Sequence, residues 1–338
     1  MKIIVAPDSF KECLPARRVA AVMADAVAKI RPDAQVQAIP LADGGEGLLD
    51  VLVPALDARE RTATVKDPLD RPVHARFAVW GRTALIEVAQ ACGLHLLAPE
   101  ERHPLEADTR GVGELLLAAH QLGCRHFLVG LGGSATCDGG AGMLSVPGFR
   151  ELKDSRFEIL CDVDAPFIGP RGAARVFAPQ KGATPAEVAL LETRMTQLAA
   201  QWLQETGMDV ADRPGAGAAG GLGGALMVHL GATSVSGIRK VLELVHFRES
   251  AREADLIITG EGRSDAQTLL GKVPFGVLQN AGNVPVALVS GRVEDRDALQ
   301  RAGFGPIREV TPKGMPLEEA LRPQTAEDLL FRAVQSLF

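Results

Sequence analysis

Lys2-Ile3-Ile4-Val5-Ala6-Pro7-Asp8-Ser9-Phe10-Lys11 is the stretch whose reading decides the fold. A short β-branched run that stops at Pro-Asp suits a buried parallel strand ending in a loop. Beyond it, Pro15 fits the first turn of a helix, and Ala16, Val19, Ala20, Met23, Ala26, Val27 and Ile30 recur at helical spacing to form one apolar face. A second strand, at about 35–41, then runs into Ala42-Asp43-Gly44-Gly45-Glu46-Gly47. Strand, loop, helix, strand is the βαβ unit of a doubly wound sheet.

The pattern returns near the other end. Asp255-Leu256-Ile257-Ile258-Thr259 leads into Gly260-Glu261-Gly262-Arg263, and Val284-Pro285-Val286-Ala287-Leu288-Val289 leads into Ser290-Gly291. Open α/β sheets bind ligands at the carboxyl ends of their strands, so all these loops are expected to line one cleft. Between the two regions, 62–65, 75–80 and 84–88 read as consecutive strands with no helix between them, hence antiparallel or mixed sheet. A helix at about 113–122, strands at 127–129 and 157–161, and a long helix from Pro185 follow, the last announced by a Thr184/Glu187 capping box. The expectation is a Rossmann-like parallel α/β domain, 1–60 plus 250–338, with a second mixed α/β domain, 61–249, inserted and the active site in the cleft between them.

Composition narrows the partners. A net charge of −6 without a basic tract leaves no electrostatic footprint for nucleic acid or an anionic membrane. The five cysteines are scattered and lack metal-ligand spacing, and the four-residue apolar run at the N-terminus is too short for a signal-peptide core. A cytoplasmic chain acting on small molecules is expected, its oligomeric state open, a homodimer included. The nearly uncharged segment 214–238 holds too much glycine for a membrane span and reads as a loop plus a buried helix.

Two segments are rich in glycine. Gly130-Leu131-Gly132-Gly133-Ser134-Ala135-Thr136-Cys137-Asp138-Gly139-Gly140-Ala141-Gly142 follows an apolar strand and suits backbone N–H groups approaching an anion. The second, 214–226, holds a G-x-G-x-x-G at Gly215, Gly217 and Gly220, but Asp209-Val210-Ala211-Asp212-Arg213 before it is a poor strand. Close packing through glycine competes with ligand binding in both. There is no G-x-x-x-x-G-K-[ST], so a P-loop is excluded. Phosphoryl transfer on another scaffold still needs positive charge, backbone donors and a carboxylate near the accepting hydroxyl. Carboxylates stand after strands at Asp8, Asp43, Glu46, Asp162, Asp164, Glu261 and Asp265, with cations at Lys11, Lys181, Arg263 and Lys272. The seven histidines form no catalytic or metal signature, and Ser134 lacks the flanks of a hydrolase nucleophile.

Seven blocks, in order, resemble the signature blocks of the bacterial glycerate kinase family: Ala6 to Lys11, Ala42 to Gly47, Gly132 to Gly142, Cys161 to Pro166, Pro179 to Ala183, Pro214 to Gly221, and Thr259 to Asp265. The resemblance spans the whole chain. It implies dependence on ATP and Mg²⁺, D-glycerate as acceptor, and 2-phosphoglycerate as product, the alternatives being 3-phosphoglycerate or an inactive binding protein. On that basis Lys11, Asp43, Asp162 and Asp265 are expected to be catalytic. Asp8, Ser9, Gly44, Gly45, Glu46, Arg263 and Lys181 are expected at the substrate. Gly132, Gly133, Ser134, Thr136, Asp138, Gly139, Gly140, Gly215, Gly217, Gly220 and Gly221 are expected at the nucleotide, with Asp162 and Asp164 on the metal. The chain departs from the family at Cys13, Cys137 and Ala165, and only 144–156 stand where relatives carry a longer insertion. A nicotinamide-dependent oxidoreductase is the other class considered, and the Pro7 to Lys11 turn is wrong for its pyrophosphate.

Overall fold

The structure, a computed structural model, describes residues 1–338. In chain order its strands are β1 Lys2–Val5, β2 Gln35–Ala38, β3 Arg59–Lys66, β4 Pro72–Trp80, β5 Thr83–Glu87, β6 His126–Gly130 and β7 Arg156–Leu160. They continue with β8 Thr233–Val235, β9 Leu256–Thr259, β10 Arg263–Ser264, β11 Val286–Ser290, β12 Arg292–Val293 and β13 Phe304–Glu309. The chain divides into two compact units, one of 1–43, 50–55 and 238–338, the other of 44–49 and 56–237. The sequence-based boundaries put 238–249 in the inserted domain. Here those residues pack in the first unit, where Ile238 fills the space beside Gly276 and Arg248 Nε donates to Asn280 Oδ1 at 3.2 Å.

The first unit is built on a parallel sheet in the order β13-β11-β9-β1-β2. Counted along this unit alone, that is the doubly wound order 2-1-3-4-5, whose switch point falls between β1 and β9. Helix Ala16–Ile30 buries Ala16, Val19, Ala20, Met23, Ala26 and Val27 as its periodicity requires, while Ile30 stays exposed. That face meets Ile258, Val289 and the buried face of helix Pro323–Gln335 at Ala326, Leu330 and Val334. β2 ends at Ala38 rather than near 41. The pairing goes on through Ile39 N to Val5 O and Leu41 N to Pro7 O.

In the second unit the sheet order is β3-β4-β5-β6-β7-β8, antiparallel through β5 and parallel from there to β8. The mixed sheet expected from strands without intervening helices is therefore present. Phe127 and Phe157, in register on β6 and β7, stack at 4.6 Å in its core. Helix Pro185–Thr206 has the predicted box, with Thr184 Oγ1 accepting from Glu187 N and Glu187 Oε2 from Thr184 N. The segment from 214 folds into a turn and the helix Leu222–Leu230, buried at every position but His229. No helix is long and apolar enough to cross a membrane.

Candidate active site

In the first unit, β1, β9 and β2 run parallel, so their carboxyl ends open on one side of the sheet. The loops leaving them are fastened together by Asp8 N to Gly260 O at 2.9 Å and by buried Thr259 Oγ1 to Ala6 O at 2.7 Å. This switch point carries Asp8, Ser9, Lys11, Asp43 and Glu261. Asp8 is 7% exposed and accepts from Ser9 N at 2.7 Å and from Ser9 Oγ at 3.3 Å. Burial, with the Asp43 carboxylate beside it and Glu261 adding to the effect, pushes its pKa up to about 8 against the pull of the Ser9 N–H and Lys11. Glu261 is also buried, and burial raises its pKa too. It accepts from Ser264 Oγ at 3.0 Å and Thr268 Oγ1 at 2.6 Å, with Lys272 Nζ at 3.6 Å.

Two predicted residues of this unit are otherwise engaged. Asp265 caps the short helix Ala266–Leu270, its Oδ1 accepting from Gln267 N at 2.8 Å. Arg263, largely exposed, pairs with Glu294 at 2.6 Å and lies 3.5 Å from Asp265. A local cap and a surface ion pair account for both without a ligand.

In the second unit, the turn after β6 lies against Gly44-Gly45-Glu46: a side chain at Gly130 would strike Gly44 O, and one at Gly132 would strike Gly45 Cα. The N–H groups of Gly132 and Gly133 reach no acceptor in the chain, and Gly133 is exposed with φ +76°. Open backbone donors on a glycine turn are what a phosphate requires. Glu46 is exposed beside them. Asp162 belongs to the same neighbourhood, since its Oδ1 accepts from Gly237 N at 3.1 Å and Gly237 abuts Gly44. Asp164 is exposed in the loop beyond.

The rest of the glycine segment is a scaffold for that turn. Asp138 spends both oxygens internally, Oδ1 on Gly140 N, Oδ2 on Thr109 N, Thr109 Oγ1 and Gly142 N, all between 2.8 and 3.0 Å. Lys181, expected at the substrate, is instead 4% exposed beneath the turn. Its ammonium donates to Ser134 Oγ at 2.9 Å and Thr136 O at 2.7 Å, and burial lowers its pKa. Thr136 and Gly139 are buried as well. Gly215, Gly217, Gly220 and Gly221 form a buried turn, in which Gly217 N donates to Ala165 O and Gly221 N to Gly217 O. They lie behind the first segment, joined to it by Gly139 N to Gly220 O at 3.0 Å.

Sequence reasoning missed Thr109, which also accepts from Met143 N at 3.0 Å, and Glu87, which receives Leu49 N at 2.7 Å. Neither stands in a recognisable motif, and both act through contacts between residues distant in sequence. No group of three or more His, Cys, Asp or Glu side chains is placed to hold a metal. A standing protein cage for Mg²⁺ is therefore lacking. An ion bound mostly by phosphate oxygens needs only one or two carboxylates, which Glu46 and Asp162 beside the open turn can provide.

The model of the glycerate kinase family matches residues 3–154 and 147–338. The chain is 41% identical over 354 residues to a glycerate kinase of Bacillus subtilis (strain 168), covering 95% of this chain and 93% of that protein. It is 38% identical over 371 residues to the glycerate 2-kinase of Escherichia coli (strain K12), covering 100% of this chain and 97% of that one. A crystal structure assigned to glycerate kinase 2 of Salmonella typhimurium LT2 superposes with a TM-score of 0.84 at 37% identity, covering 100% of this chain and 97% of that chain.

Proposed function

The chain belongs to the glycerate kinase family, and on that premise we propose that it transfers the γ-phosphoryl group of ATP to the 2-hydroxyl of D-glycerate, releasing 2-phosphoglycerate and ADP. The observation that carries this reading is the pairing of a base poised near neutrality, Asp8, with Lys11 at the switch point of the first unit. Relatives support the acceptor, and the name of the Escherichia coli protein supports the position.

The hydroxyl oxygen attacks the γ-phosphorus, the bond from that phosphorus to the β,γ-bridging oxygen breaks, and the hydroxyl proton passes to the Asp8 carboxylate. Lys11 offsets negative charge on the glycerate carboxylate or the moving phosphoryl group. Burial, with the Asp43 carboxylate adding to it, keeps the Asp8 pKa high, so that the base is strong enough to take the proton yet ionised in a useful fraction of molecules. The N–H groups of Gly132 and Gly133 hold phosphate oxygens. Mg²⁺, when bound with ATP, would supply charge neutralisation on those oxygens, and Glu46 and Asp162 are the residues that would hold it.

The test is glycerate-dependent release of ADP, with the phosphorylated product identified by phosphorus NMR. A phosphate on the 3-position would overturn the regiochemistry, and no release the activity. Across pH, kcat/KM should rise about tenfold per unit and level off near the Asp8 pKa of about 8. The sign follows from the role: a base works ionised, and a raised pKa keeps it protonated below that value. Asp8→Asn should lose about 10²-fold or more and abolish the rise; a rise that survives would move the base elsewhere.

A further inference from the structure

One large cavity is unused by this chemistry. It lies in the second unit, has a volume of about 770 Å³, and is walled on its apolar side by Leu144, Val146, Phe149, Leu198 and Trp202. Volumes of this size are typical of small-molecule sites. Its wall coincides with the place where this chain departs from its relatives. The family match breaks so that 147–154 is covered twice, and the Escherichia coli alignment runs over 371 residues although this chain has 338. The short 3₁₀ turn Phe149–Asp154 stands there, and it presents Arg150 and Lys153 to the cavity. Side chains three apart on a 3₁₀ turn eclipse one another, so the two cations share a face.

Three further features bear on what could enter. Arg150 and Lys153 are both exposed and lie in no ion pair within the chain. Glu205 is the one acid in the lining, and its Oε1 is engaged by Gln201 Nε2 at 2.7 Å. His229 Nε2 is buried without a hydrogen-bond partner while its ring meets Trp202 edge-on at 5.1 Å. A buried orphan nitrogen is costly unless something satisfies it.

We propose that this cavity binds an organic anion: an apolar body of one or two rings against Leu144 and Leu198, with Trp202 and Phe149 behind them, and a carboxylate or phosphate head on Arg150 and Lys153. The site is distinct from the one that binds the phosphates of ATP, because Gly132 and Gly133 do not line it.

The chain has two tryptophans and no tyrosine, so a Trp80→Phe protein reports from Trp202 alone. Titration with 8-anilinonaphthalene-1-sulfonate should show one saturable site, quenching Trp202 as the dye brightens, and unaffected by saturating ATP. Phenylacetate or phenyl phosphate should displace the dye, and the more effective of the two identifies the head. Arg150→Gln with Lys153→Gln, both on the surface, should weaken dye binding about tenfold at unchanged melting temperature, the scale of one to two charge-assisted contacts. The proposal fails if Trp202 is not quenched, if ATP displaces the dye, if neither competitor does, or if the double variant binds as tightly as its parent.

Discussion

The two glycine segments look alike in sequence and differ in use. In 130–142 the N–H groups of Gly132 and Gly133 reach no acceptor and Gly133 stays exposed, while Asp138 and Lys181 hold the mostly buried remainder in shape. In 214–224 the glycines are buried and exist to let one backbone lie on another: a side chain at Gly220 would strike Thr136 O and Cys137 Cα. Glycine lowers the barrier to close approach, whatever is approaching. What separates an anion-accepting loop from a packing joint is whether N–H groups without acceptors stay accessible once the chain has folded, as at Gly133, or are buried, as at Gly215 and Gly220.

The largest effect should come from the packing joint. Gly220→Ala combines a left-handed backbone, φ +67°, with a collision against main chain that cannot swing aside. Left-handed strain of about 1–2 kcal/mol plus overpacking of about 1–3 kcal/mol gives a loss of roughly 3 kcal/mol or more. Urea unfolding would measure it, and a variant of parental stability with impaired ATP binding would reverse the roles of the two segments. Gly139→Val belongs to the same class, since Gly139 is buried against Phe167 and Leu198; unfolding should accompany any loss of nucleotide.

Smaller, and different in kind, is Gly133→Asp. The position is exposed and left-handed, which Asp and Asn tolerate better than other side chains, so stability should fall by about 1 kcal/mol or less for either. The added charge should raise the KM for ATP about tenfold or more, whereas Gly133→Asn, alike in size and neutral, should move it a few-fold. Equal effects of the two would mean that no phosphate lies there.

Much of this architecture is legible in the chain itself. The βαβ start, the mixed sheet of strands without helices, and the Thr184 box follow from local periodicity and capping, and the structure contains each. The site was less legible because its residues are sorted by burial, which spacing does not encode. Lys181 and Arg263 are both cations after a motif turn, yet one lies beneath the glycine turn and the other in a surface ion pair. Asp138 and Asp265 have the composition of ligands and the hydrogen bonds of braces. Asp8, by contrast, gains its character first from burial and then from Asp43, thirty-five positions away and brought near by parallel pairing of β1 with β2.

Lys181 offers the finest test of how the open turn is held. Lys181→Met keeps the length and apolar stem and removes an ammonium that donates to Ser134 Oγ and Thr136 O. Two opposing terms meet: lost hydrogen bonds to a charged group, about 1.5–3 kcal/mol each, against relief from keeping a cation out of water, a cost of several kcal/mol. Stability should therefore change by only about 1 kcal/mol in either direction. The turn, however, loses the group that fixes Ser134 next to Gly133, so the KM for ATP should rise about three- to tenfold while kcat changes little. Lys181→Arg should not rescue it, because a guanidinium is larger than the buried space the ammonium occupies. A Lys181 contacting substrate directly would show the opposite pattern, with kcat falling strongly and the glycerate KM rising while that for ATP held.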